Sequence, residues 1–170
     1  MTRKDLLDIE SLTREEIEHL LDQAAPFKEL FTRSVKKVPA LTGKSVLTLF
    51  YEPSTRTLSS FQVAAKRLSA DVTTFDVPHS SAVKGETVRD TIATLQAMRT
   101  DYIIVRNSMP GLPKVIAEAT RASVINAGDG AHAHPTQALL DGFTFREVFP
   151  QTDGKKVLIA GDILHSRVAR

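Results

Sequence analysis

In the stretch FYEPSTRTLSSF, Ser54, Thr55, Arg56 and Thr57 stand in a row between an apolar run and a helical pattern, with Glu52 the only acid close by. Three hydroxyls and a guanidinium at a strand-to-helix junction suit a phosphate. The free N–H groups and dipole of a helix N-terminus favour an anion, hydroxyls add donors, and the guanidinium fork matches phosphate oxygens. The plainer alternative is that Ser54 and Thr55 only cap the helix while Arg56 is solvated.

Further groups have matching chemistry. Arg106 closes the apolar run DYIIVR, where a guanidinium can meet the same anion or simply leave the strand into water. In GDGAHAHPTQALLD, His134 precedes Pro135 at a helix start and Gln137 lies one turn in. An imidazole can donate to a carbonyl oxygen and an amide side chain can accept from an NH2 group, or the two can be a capping histidine and a surface glutamine. His132 and His134 resemble a metal pair, but no thiol or carboxylate cluster completes a site, so no metal is expected. HSSAVKGET sets Ser80 and Lys84 in a loop before a helix, where a lysine can close over a phosphate or the loop can be plain surface. Neither GxGxxG nor GxxxxGK[ST] occurs, which argues against dinucleotide and P-loop nucleotide binding.

These groups need elements to hold them. TREE at Thr13–Glu16 is a capping box, and Ile17, Leu20, Leu21, Ala24 and Phe27 follow at helical spacing up to about Phe31. Strands are expected over 45–50, 71–77, 101–106 and 123–128. Helices are expected from about Phe61, over 86–98 and 112–120, and over 135–149, the last with proline at its favoured first position. Continuous apolar strands alternating with helices predict an α/β fold, a parallel sheet with helices on both faces. In such a sheet, ligands sit at the carboxyl ends of the strands, where all of these groups fall. PQTDG (150–154) reads as a linker, and KKVLIAGD (155–162) as one further strand. With the sequence stopping at Arg170, this predicts a first domain over 1–150, including an interdomain helix 135–149, and the opening strand of a second, truncated α/β domain over 151–170.

Composition narrows the class. Twenty-two Lys and Arg against twenty Asp and Glu leave +2, with no run of five like charges, so neither a nucleic-acid arm nor a membrane-binding stripe is expected. The chain has no cysteine, which rules out disulfides, zinc–thiolate sites and cysteine nucleophiles and suits a reducing cytosol. The opening residues carry no apolar segment long enough for a signal peptide or a membrane span. A cytoplasmic enzyme or binding protein is the expectation.

The segments FYEPSTRT, VKGETVRDT, IIVR, NAGDGAHAHPTQALLD and IAGDILHSRVAR, in this order and over nearly the whole chain, resemble the aspartate carbamoyltransferases. The resemblance implies transfer of a carbamoyl group from carbamoyl phosphate to the amine of L-aspartate, in pyrimidine biosynthesis, without a cofactor. It implies a phosphate and carbonyl cradle in Ser54, Thr55, Arg56 and Thr57, and a phosphate ligand in Arg106. His134 matches the group on the carbamoyl oxygen and Gln137 the group holding the carbamoyl amide. Arg56, Thr57 and His134 are the expected catalytic donors. Ser80 and Lys84 match a loop that enters a neighbouring subunit's site, Lys84 and Arg167 match aspartate ligands, and Glu52 matches an acid that pairs with arginines of the second domain. A homotrimer with shared sites follows, with regulatory or dihydroorotase subunits as further candidate partners.

Ornithine carbamoyltransferases share the STRT and HP-x-Q elements, but typically carry lysine where Glu52 stands and HPCQ where this chain has HPTQ, and lack the lysine of KGE. All three markers favour aspartate. Two departures stand out: Leu58 and Gln62 replace the family's usual arginine and glutamate, as if a structural ion pair had been exchanged, and Asn107-Ser108 follow Arg106 where His-Pro is common. The family needs a second domain to complete its aspartate site, so the 170 residues alone are expected to bind carbamoyl phosphate weakly and not to turn over. The competing class is a non-catalytic carbamoyl-phosphate-binding or assembly module.

Overall fold

The Thr13 hydroxyl accepts from the Glu16 amide at 3.2 Å, and Glu16 returns the bond by accepting from the Thr13 amide at 3.0 Å. Helix α1 (Arg14–Lys28) starts on that box and tightens into a 3-10 turn over Glu29–Thr32. The structure, a computed structural model, describes residues 3–76 and 88–168. Beyond α1 come β1 (Ser45–Phe50), α2 (Thr55–Arg67), β2 (Asp71–Asp76), α3 (Val88–Ala97), β3 (Tyr102–Asn107), α4 (Leu112–Ala119), β4 (Ser123–Asp129) and α5 (Pro135–Val148).

All four strands are parallel, in the order β2-β1-β3-β4. The two-residue period of the strands sorts their side chains between two cores. Leu47 and Leu49 of β1, Ile103 and Val105 of β3 and Val124 of β4 pack on one face with Ile92 of α3 and Leu112, Ile116 and Ala117 of α4. Val46 and Phe50, Ile104 and Ala127 point to the other face, where they meet Ala65 of α2 with Leu58 and Phe61 packed against them. The sheet is therefore covered on both sides, which is why its strands read as unbroken apolar runs. Leu58 lies in this second core, and Gln62 Nε2 donates to Thr74 Oγ1 at 2.6 Å, which in turn meets the buried Thr48 hydroxyl at 3.1 Å. Apolar packing and a hydroxyl chain thus tie α2 to the sheet at the two positions where the sequence departs from the usual pair.

Residues before α1 extend the sheet. The Leu6 amide donates to Val124 O at 2.8 Å, and the Asn126 amide donates to Leu6 O at 2.9 Å, a parallel bridge along the outer edge of β4. Next to it, Lys4 Nζ donates to the carbonyls of Ala117, Thr120 and Ala122 at 3.0–3.2 Å, filling acceptors left open where α4 ends.

One expected element is different. The apolar run 155–162 carries no strand pairing, and only a 3-10 turn at Ile163–His165 follows it. A strand needs a neighbour to complete its hydrogen bonds, and among the described residues none lies beside this run, so Leu158 is left 90% exposed.

Candidate functional site

The strand order sets the location. The chain leaves β1 for β2 on one side and returns to β3 on the other, so the crevice at the carboxyl ends of β1 and β3 is the switch point where open parallel sheets take ligands. In register, Phe50 at the end of β1 pairs with Arg106 near the end of β3, and the Tyr51 amide donates to Arg106 O at 2.9 Å. The turn carrying Glu52 and the start of α2 is thereby laid alongside Arg106.

Ser54 is the N-cap residue of α2, and its side chain makes no capping bond. A serine that served only as a cap would accept from the helix's second or third amide. Here the first turn is left open for another acceptor. Thr55 and Arg56 on it are exposed, and Arg56 makes no ion pair or hydrogen bond among the described residues, while Thr57 is half-buried.

Arg106 reaches across the crevice. Its Nη1 donates to Thr57 Oγ1 at 3.4 Å and to Ala127 O at 3.1 Å. Ala127 O is available because the ladder slips: Val105 pairs with Asn126 but Asn107 pairs with Asp129, so β4 carries one extra residue here. Arg106 Nε lies 2.7 Å from Glu52 Oε1 as an ion-pair contact rather than an aligned hydrogen bond, and Arg167 Nη1 approaches the same oxygen at 3.6 Å. Two guanidiniums share one carboxylate, which leaves positive charge uncompensated in a crevice where the Arg106 side chain is only 13% exposed. Burial and the neighbouring Arg167 lower the Arg106 pKa, and Glu52 opposes them.

Gly128 permits this crowding. It sits at φ +117°, and a Cβ there would lie 2.6 Å from Arg167 Nη1 and 3.2 Å from Arg106 Nη1. Only glycine combines that backbone angle with guanidiniums packed directly on it.

His134 is the N-cap residue of α5, its carbonyl accepting from the amides of Gln137 and Ala138. Burial, and then the charges of Arg106 and Arg167, lower the imidazole pKa to about 4, so the ring is neutral at physiological pH. Thr136 Oγ1 lies 3.3 Å from its Nδ1. A hydroxyl donating there puts the ring proton on Nε2, a neutral N–H donor. Gln137 Nε2 donates to Asp141 Oδ1 at 2.9 Å, which uses one of its two N–H groups and leaves its amide oxygen as an acceptor.

The described structure thus brings Glu52, Thr57, Arg106 and Arg167 into contact, with His134 within the field of both arginines. Ser54, Thr55 and Arg56 stand on the adjoining helix start, and Ser80 and Lys84 lie outside the described residues. His132 Nδ1 pairs with Asp129 Oδ2 at 2.9 Å. Sequence reading missed Asn126 and Asp129, both 1% exposed, and the bulge between them. The signal was present in NAGDG, two amide or carboxylate side chains flanking a glycine at the end of an apolar strand.

The family model described as "Aspartate/ornithine carbamoyltransferase, carbamoyl-P binding domain" matches residues 4–147. The chain belongs to this family. The aspartate carbamoyltransferase catalytic subunit of Akkermansia muciniphila is 76% identical over 168 residues, covering 99% of this chain and 54% of that protein. That of Endomicrobium trichonymphae is 59% identical over 167 residues, covering 98% and 54%. Among solved structures, aspartate transcarbamoylase from Trypanosoma cruzi in complex with carbamoyl aspartate and phosphate matches with TM-score 0.90 at 33% identity, over 98% of this chain and 51% of that one. The catalytic subunit of the M. jannaschii enzyme matches with TM-score 0.88 at 38% identity, over 98% and 54%. The chain spans about half the length of the curated relatives it matches. No helix among the described residues is long and apolar enough to cross a membrane.

Proposed function

We propose that this chain is the carbamoyl-phosphate half of an aspartate carbamoyltransferase catalytic subunit, transferring the carbamoyl group to the amine of L-aspartate to give N-carbamoyl-L-aspartate and phosphate for pyrimidine biosynthesis. The observation that carries the reading is the shared crevice: an uncapped helix start, the Arg106–Glu52–Arg167 cluster and a neutral imidazole at one switch point. Residues 1–150 form the carbamoyl-phosphate domain, including the interdomain helix 135–149, and 151–170 open the aspartate domain. The setting is cytoplasmic, and the assembly is a homotrimer in which Ser80 and Lys84 serve a neighbouring subunit's site.

The amine attacks the carbamoyl carbon, negative charge gathers on the carbonyl oxygen, and the C–O bond to phosphate breaks. The departing phosphate takes the amine proton. The Nε2–H of His134, with Thr57 and Arg56, suits the developing oxyanion, because fixed donors aimed at new charge stabilise it without reorganising. Arg106, Ser54, Thr55 and the amides at the start of α2 suit the leaving phosphate. The Gln137 amide oxygen suits the carbamoyl NH2, and Arg167 and Lys84 suit the carboxylates of aspartate. Orientation and electrostatics carry the reaction, with no covalent intermediate on the protein.

Calorimetric titration with carbamoyl phosphate tests this. Binding is expected to weaken by about 100-fold in Arg106→Ala, the scale of losing two charge-assisted hydrogen bonds, and undiminished binding in that variant overturns the assignment. In the full-length subunit, activity with aspartate and none with ornithine is expected. Binding without turnover by the full-length subunit would favour the non-catalytic module instead.

A further inference from the structure

Asp129 is a carboxylate at the end of β4 with 1% of its side chain exposed, and its oxygens are saturated by groups from three segments. Oδ1 accepts from Asn126 Nδ2 at 2.9 Å and from the Ala133 amide at 3.0 Å. Oδ2 accepts from the Gly111 amide at 2.8 Å, at the start of α4, and faces His132 Nδ1 at 2.9 Å. The loop closes on itself as well, through the Asp129 amide to Ala133 O and the His132 amide to Asp129 O. Asn126, bonded to the same carboxylate, accepts from the Gly128 amide at 2.8 Å through its Oδ1 and donates to Leu7 O.

Two consequences meet here. Gly128 is the backbone on which the Arg106 and Arg167 guanidiniums rest, and Ala133 is the residue next to His134. We infer that Asp129 is a positioning residue for the proposed site: it clamps the loop 129–133 to β4 and α4, and so fixes both the floor under the two arginines and the backbone that presents the His134 ring. The inference rests on the reading of His134 as a working group, and it assigns Asp129 no contact with substrate.

A structural carboxylate that merely stabilised the fold would affect melting and leave His134 alone, so the test reads His134 directly. Its imidazole is titrated by NMR in the intact chain, wild type against Asp129→Asn. Whichever way the asparagine turns, its NH2 group faces at least one N–H donor, those of Asn126 and Ala133 on one side or that of the Gly111 amide on the other. With the clamp broken, the ring moves toward water and away from Arg106 and Arg167, and its pKa rises from about 4 toward the ordinary imidazole value of about 6.5. Loss of the Asp129 charge alone has the opposite sign, because that charge raises the His134 pKa. A folded Asp129→Asn protein whose His134 titrates at or below the wild-type value overturns the inference. If that variant does not fold, His132→Ala decides instead: it removes one donor whose side chain is 45% exposed, and a smaller rise at His134 is expected. An unchanged His134 in His132→Ala overturns the inference equally. Neither readout involves a ligand, so failure of the carbamoyl phosphate titration and failure of the clamp are separate results.

Discussion

At the scale of single residues, His134 ties folding to pH. Its folded pKa of about 4 lies below the ordinary imidazole value, chiefly through burial and then through Arg106 and Arg167. Between those two values the unfolded chain binds a proton that the folded chain refuses, so stability is complete above the ordinary value and declines as pH falls toward the folded one. Melting temperatures measured from pH 7 to pH 4 should fall more steeply for the wild type than for His134→Gln, which cannot take the proton; parallel curves would mean that the ring titrates normally. The residues proposed to carry the chemistry were picked out by type and spacing, since STRT, Arg106 and HPTQ each sit at an element boundary. Asp129 stood in view in NAGDG, but its buried role was not legible, because a carboxylate between two glycines reads as a turn former. Its carboxylate is held by the Gly111 amide at the start of α4 and by Asn126, which itself bonds Leu7 O, and these segments reach the end of β4 only in three dimensions.

At the scale of elements, the N-terminal strap fixes the outer strand. Lys4 Nζ joins three carbonyls at the end of α4, and Asp5 Oδ1 accepts from the Val124 amide at 2.8 Å. Lys4→Met keeps the aliphatic stem and removes the donors, leaving carbonyls without their partner. The expected loss is about 1–3 kcal/mol, the penalty for a part-buried polar group left unsatisfied, read as a lower urea midpoint with an unchanged slope. Equal midpoints would show that water replaces the ammonium group. Apolar spacing revealed α1 to α4, unbroken apolar runs revealed β1 to β4, and Pro135 marked the start of α5. The Leu6 bridge lacked any such signal, as a single paired residue has no period. The run 155–162 misled for the reverse reason: its apolar character describes a strand, but strands form in pairs, and no pattern within one segment reports whether a neighbour exists.

At the scale of the whole molecule, protection should follow this pairing. Between α5 and Arg167 the chain is held by exposed contacts, Arg14 with Asp153 and Lys155 over the Phe149 ring, whereas Arg146 inside α5 is anchored to Asp22 of α1. Brief trypsin treatment followed by mass measurement should therefore find the first cut beyond α5 at Lys155 or Lys156. Earlier cleavage at Arg146 would show that α5 opens before its tail. The sheet order has a consequence in time as well as in space. Its outer edge is completed by Leu6 against Ile125, partners separated by more than a hundred positions, and such distant pairings close late because loop entropy must be overcome first. As the ribosome releases the chain from its amino end, Leu6 is made long before Ile125 and must wait, with its backbone groups in water, until β4 emerges to receive it.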